Sequence, residues 1–252
     1  MLDLSGKKVL ICGVANKRSI AWGIAQACAK AGAELAFTYL NDRMEPMVRK
    51  MGDQIGVTKY YELDVANDDH FDALAASLKA DWGSFDHIVH SIAFANKDAF
   101  DNRFHETTRA DFAQAVDISA FSLIPLVRSL KPLLNPGAGV VAMSYYGAEK
   151  VVNMYRVMGV AKATLESVAK YLAEDLGPDD IRINCVSAGP VRTLAAAGIP
   201  GFRDLMREAE QRLPLRRHIT TDEIASATLF LLTNTGITGE VMHVDAGYNI
   251  LG

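Results

Sequence analysis

The sequence predicts an α/β fold: one doubly wound domain over residues 1–252, with a parallel sheet of about seven strands flanked by helices. Two observations carry this. Strand-like and helix-like stretches alternate from end to end, the order that builds a parallel sheet covered on both faces. The strand-like runs, such as VLICGV, are apolar without alternation, as expected when both faces of a strand are buried. A chain of 252 residues, half of them hydrophobic, is long enough to enclose one large core.

The elements follow in order. KKVLICGV (Lys7–Val14) reads as the first strand, and SIAWGIAQACAKAG (Ser19–Gly32) as a helix with a Ser start and a Gly stop. Ala33–Leu40 is the second strand, Arg43–Met51 a charged helical stretch, and Thr58–Val65 the third strand. A helix around His70–Lys79 leads to HIVHSIAF (His87–Phe94), and one around Arg109–Leu134 leads to the strand Gly139–Tyr145. A helix from Tyr155 to Leu176, the strand Ile181–Gly189, further helices and the strand EVMHVDAG (Glu240–Gly247) complete the chain. Leu194–Phe202, rich in small residues, Gly and Pro, reads as a substrate-binding loop, continued by helices to about residue 218.

Composition narrows the function. The formal charge is -4, and Arg212, Arg216, Arg217 and His218 form only a short basic cluster, read as a solvated helix end, so nucleic-acid binding is disfavoured. Cys12, Cys28 and Cys185 have no CxxC spacing, which argues against disulfides and metal; Cys12 and Cys185 read as small buried hydrophobes. There is no signal-peptide pattern and no apolar run long enough for a bilayer, so a cytoplasmic protein is expected.

Several loops sit where a dinucleotide would bind. Between the first strand and helix, GVANKRSIAWG places helix N–H groups where a pyrophosphate can sit. Gly13 permits a tight turn and Gly23 close packing of helix on strand. The middle glycine of GxGxxG is missing, so an ordinary βα turn fits the segment equally well. After the second strand no acid stands at the tip and no dense basic cluster follows Arg43, which leans to NADH over NADPH. Asp64 is placed to bond an adenine amino group with Val65 on the ring, or simply to serve a turn or helix cap.

Tyr155 and Lys162 stand seven positions apart in a stretch that reads as helix, hence on nearly one face. An ammonium beside a phenol favours hydrogen bonding to a developing oxyanion. By itself such a pair is more often an ordinary amphipathic face.

Together, GVANKRSIAWG, SIAFA, SYYGAEKVV–MYRVMGVAKATLE and GPVRTLAAAGI resemble the short-chain dehydrogenase/reductase superfamily. Within it they resemble bacterial NADH-dependent enoyl-acyl-carrier-protein reductases, over nearly the whole chain. The resemblance implies a Rossmann-type domain. Ordinary members carry the catalytic Tyr four residues before the Lys, where this chain has Met158; the phenol stands one turn earlier, at Tyr155, and Tyr145 takes the usual Ser position. Ile118 replaces the usual helix Asn.

The implied activity is reduction of the C2=C3 bond of trans-2-enoyl thioesters on acyl carrier protein by NADH, the last reductive step of type II fatty acid elongation. Tyr145, Tyr155 and Lys162 are the implied catalytic residues. Gly13, Ser19, Ile20, Asp64, Val65, Ile92, Lys162, Val191 and Thr193 would contact cofactor. Ala93, Phe94, Met158, Ala195, Ala196, Ile199 and Phe202, with both tyrosines, would line the acyl pocket. The resemblance also implies a homotetramer. Two competing readings are a carbonyl reductase of the same superfamily and a non-catalytic NADH-binding protein.

Overall fold

A computed structural model of the chain describes residues 2–191 and 210–251. The predicted Thr193, Ala195, Ala196, Ile199 and Phe202 lie outside them. Seven parallel strands form one sheet in the order β3-β2-β1-β4-β5-β6-β7. They are β1 (Lys8–Cys12), β2 (Glu34–Tyr39), β3 (Lys59–Glu62), β4 (Phe85–His90), β5 (Leu134–Ser144), β6 (Arg182–Ala188) and β7 (Val241–Val244). The order reverses between β1 and β4, so a crevice opens there beyond the strands' carboxyl ends, where open α/β sheets bind ligands.

The helices are α1 (Ile20–Lys30), α2 (Glu45–Gly52), α3 (Asp68–Trp82), α4 (Asp98–Asp101), α5 (Arg109–Val116), α6 (Leu123–Leu130), α7 (Val157–Leu176) and α8 (Thr221–Thr233). One core layer joins α1, α2 and α8 to Val9, Ile11, Val89, Val141 and Val186. The other joins α3, α6 and α7 to Leu10, Cys12, Ile88, Val140, Ile183 and Cys185. Successive β1 residues thus enter opposite layers, which is why the strand reads as an unbroken apolar run. All three cysteines are buried, and burial pushes each thiol up to about 12.

Four details differ from the sequence reading. Strand β3 stops at Glu62 and β4 at His90, which leaves Asp64, Val65 and Ser91–Phe94 as loop at the carboxyl edge. Gly23 packs helix on helix: a Cβ there would lie 2.9 Å from Thr221 Cβ of α8. The helical run Arg109–Leu133 is long and apolar enough, by composition, to cross a membrane. It covers the sheet instead, with α6 against α3 and α7. Finally, α7 begins at Val157, so Tyr155 lies in the turn before it. The inference of one helical face shared by Tyr155 and Lys162 is therefore wrong. Met154 (φ 69°) and Arg156 (φ 47°) flank Tyr155 in the left-handed region, which ends the helical geometry before the phenol.

Candidate active site

The site lies along the carboxyl edge of the sheet at the β1–β4 crevice and continues past β5. At Gly13 the chain takes φ 99°, and a Cβ there would meet the Ser91 carbonyl oxygen at 2.1 Å. Glycine is required on both grounds. The turn then enters α1. Ser19 caps it, its Oγ accepting from Trp22 N–H (3.2 Å) and donating to the Asn16 carbonyl (2.8 Å). No acidic residue occupies the first turn of α1, so the dipole's positive end faces the crevice unopposed. Ile20 is half-buried against the core.

Asp64 serves a turn, its Oδ1 accepting from Ala66 N–H at 3.0 Å, while Asn67 caps α3. Val65 is buried beside it, and Val191, just past β6, is also buried. Ile92 is half-buried and Ala93 and Phe94 are exposed at the end of β4. This loop is clamped from the helix layer: Ser119 Oγ accepts from Phe94 N–H (3.0 Å) and donates to the Phe94 carbonyl (3.2 Å). Ser119 sits in a π-helical turn, Asp117–Phe121, between α5 and α6. Such turns reshape a helix locally and recur at functional sites.

Lys162, buried on α7, donates from Nζ to the Met143 carbonyl at 2.7 Å. That bond ties α7 to the end of β5, two residues before Tyr145. Burial pushes Lys162 down to about 8, against a weaker opposing pull from Cys185 and Glu166. The Tyr145 and Tyr155 rings pack edge to face, with centroids 4.7 Å apart. Burial raises both phenols above the usual tyrosine range, Tyr155 further through Tyr145, so both are protonated donors at neutral pH. Met158 is buried in a small apolar cluster with Ala99, Ala115, Val157 and Ala161, and Tyr155 packs on its edge.

The structure thus joins Tyr145, Tyr155 and Met158 in one contact group and ties Lys162 to the end of β5, two residues before Tyr145. Sequence reasoning missed the residues that make this possible. A Cβ on Gly147 would lie 2.5 Å from Tyr155 Cδ1, and one on Gly159 would lie 2.7 Å from the Gly147 carbonyl. Both glycines are needed for the Tyr155 turn to pack, and neither belongs to a turn motif that would reveal it. Also missed was Glu166, a buried carboxyl on α7 that accepts a short hydrogen bond from Ser144 Oγ. Burial raises its pKa despite that bond.

Against this geometry stand the comparisons with known proteins. A family model described as enoyl-(acyl carrier protein) reductase matches residues 13–249. The chain belongs to the enoyl-acyl-carrier-protein reductase family. Among curated members, the Bacillus cereus enoyl-[acyl-carrier-protein] reductase [NADH] FabI is 46% identical, covering 99% of each chain. The Rickettsia prowazekii reductase of the same name is 44% identical over 99% of this chain and 96% of its own. Solved reductases have the same backbone. That of Aquifex aeolicus superposes with a TM-score of 0.96 at 47% identity, covering 99% of this chain and 98% of its own. The Anaplasma phagocytophilum reductase, solved in complex with NAD, gives 0.95 at 43% identity over 99% and 96%. As a family member, the chain is a Rossmann-type oxidoreductase, and the absent middle glycine of the β1–α1 turn is compatible with that membership.

Proposed function

We infer that this chain is an NADH-dependent enoyl-acyl-carrier-protein reductase, reducing the C2=C3 bond of trans-2-enoyl thioesters in the last reductive step of fatty acid elongation. The observation that carries the reading is the edge-to-face Tyr145–Tyr155 pair, 4.7 Å between centroids, beside a buried Met158. A ketone reductase of this superfamily would need its acid where Met158 stands, and a thioether donates no proton. NADH fits the residues present: Gly13 lets backbone approach, the N-terminus of α1 favours phosphate, and the Lys162 ammonium has protons to spare for ribose hydroxyls. Gly13, Ser19, Ile20, Asp64, Val65, Ile92, Val191 and Thr193 would complete that contact, and the carried name [NADH] of the relatives supports NADH over NADPH.

When bound, NADH supplies the hydride for C3 of the conjugated thioester. Charge then develops on the thioester oxygen as an enolate, which is discharged when a proton from solvent reaches C2 and the C1 carbonyl re-forms. The protonated Tyr155 hydroxyl donates to that oxygen, an interaction that strengthens as the charge grows. Tyr145 holds the Tyr155 ring by its edge contact. The Lys162 ammonium orients the ribose and adds positive charge to a site screened from water. Ala93, Phe94 and Met158 would supply apolar lining for the acyl chain, as the family resemblance also implies for Ala195, Ala196, Ile199 and Phe202.

The acyl carrier protein is the proposed partner, the cytoplasm the proposed compartment and a homotetramer the proposed assembly. Exposed Phe112 and Phe121 near the π-helical turn, and Tyr171 on α7, offer apolar faces for assembly. The deciding assay follows NADH absorbance with crotonyl and longer trans-2-enoyl thioesters, and with simple ketones. Turnover on thioesters alone is expected. Oxidation of NADH by ketones only would sink the reading, and tight NADH binding without any turnover would favour a non-catalytic binding protein.

A further inference from the structure

We propose that His90 is a positioning residue for Lys162: one ring nitrogen accepts a hydrogen bond on the Lys162 side of the site, while the other ties that side to the π-helical turn. This rests on Lys162 acting in the NADH site.

His90 closes β4 and is fully buried. Its Nε2 lies 2.8 Å from Ser122 Oγ. The Ser122 hydroxyl donates to the Ile118 carbonyl at 2.8 Å, so its single proton is committed and its oxygen is left to accept. The ring therefore carries its proton on Nε2, and Nδ1 is a bare acceptor. Among the described residues, Nδ1 is buried and has no partner. A buried acceptor left bare is costly, so a donor is expected to face it.

His90 pairs with Ala142 in the β4–β5 register, one residue before the Met143 carbonyl that holds Lys162 Nζ, and Lys162 has two ammonium protons beyond the one given to Met143. An acceptor on that ammonium, directly or through one water, stabilises the charged form where burial opposes it. The titratable groups whose charges act with Lys162 are Glu166 from its own helix, Cys185 from β6 and His90 from β4. Cys185 stays a thiol, held at about 12 by burial, and His90 stays neutral, pushed down to about 3 by burial and Lys162. The second link matters equally: Ile118 lies within the π-helical turn whose Ser119 clamps Phe94, and Ser122 follows it directly. His90 thereby couples the lysine to the loop that borders the acyl pocket.

The test is the NADH dissociation constant across pH, read by fluorescence titration on the full-length protein, with melting temperatures recorded alongside. Wild type should lose affinity on an alkaline limb, and Lys162→Met should lack the limb; a limb persisting in Lys162→Met would sink the Lys162 reading itself. His90→Gln keeps a donor towards Ser122 but lacks the Nδ1 acceptor, and should move the limb to lower pH by about half a unit or more. His90→Asn keeps an acceptor near Nδ1 and should leave the limb close to wild type. An unmoved limb in His90→Gln, or an equal displacement in both variants, would overturn the proposal, because a packing role treats the two alike. If His90→Gln does not fold, Ser122→Ala gives the same reading. It frees the tautomer and should shift the limb the same way, and an unshifted limb counts against the proposal.

Discussion

Lys162 is a cation placed where water reaches it little, and its pH behaviour follows from that. Burial holds it down at about 8, well below an exposed lysine. NADH affinity should therefore fall as pH rises through about 8, while Lys162→Ala should weaken NADH binding below that pH; unchanged affinity there would remove its ribose role. Stability runs the other way. Between about 8 and the ordinary lysine value of 10.5 the unfolded chain holds the proton that the folded chain has released, so Lys162 makes folding more favourable as pH climbs through that window. Denaturant titrations at pH 8 and 10, compared between wild type and Lys162→Met, measure the difference. Tyr155 presents the opposite case, a phenol kept protonated by burial. Tyr155→Phe should lower turnover by about 100-fold or more with NADH binding largely intact, the size seen when one oxyanion donor is removed. Full activity in that variant would show that another group meets the oxyanion. The residue types needed for this chemistry were legible in the sequence, because spacing against the superfamily pattern separates Tyr155 from Met158. The contacts that tune them were not, since the Met143 carbonyl that accepts from Lys162 and the Cys185 side chain near it come from strands β5 and β6.

At the scale of elements, two glycines carry opposite lessons. Gly13 could be read from sequence, because a strand–turn–helix opening needs a residue free to adopt φ 99°. Gly13→Ala should weaken NADH binding at least about 10-fold and lower the melting temperature, because strain and the contact with Ser91 act together. Gly147 could not be read, since its reason is a ring that arrives from the turn before α7. Gly147→Ala should displace Tyr155 and cut kcat by about 10-fold or more, with a stability loss of only about 1–3 kcal/mol. A variant that kept kcat would show that the Tyr155 turn adapts. The start of α8 provides a control away from the site. Thr220 and Glu223 form a capping box, and Arg217 pairs with Glu223 at 2.7 Å. Thr220→Ala should cost about 1 kcal/mol of stability and leave turnover unchanged. The short basic cluster read from sequence thus contributes to a helix cap, in keeping with a solvated helix end.

Across the whole molecule, the strand order places the loops that carry Gly13, Asp64, Ile92, Tyr145 and Val191 along one edge of the sheet. The switch between β1 and β4 opens the crevice, and β5 carries Tyr145 out beside it. The sheet needs both helical layers, and the faces left over include Phe112, Phe121 and Tyr171, all exposed. If these faces meet in a tetramer, light scattering after gel filtration should give about four times the mass of one 27.4 kDa chain. Phe121→Asp should then yield smaller species, whereas a monomeric wild type would remove the proposal. What the sequence determined by itself was everything that follows from local period and residue type: seven strands, their double burial, the glycine turn after β1, and which residue types stand at Tyr155, Met158 and Lys162. Only the tertiary structure decided where α7 starts, and with it that Tyr155 reaches the site from a left-handed turn beside Tyr145. Period reports a side chain's direction only inside a regular element, and the limits of that element are set by contacts such as Gly147 on Tyr155, between residues that no local pattern links.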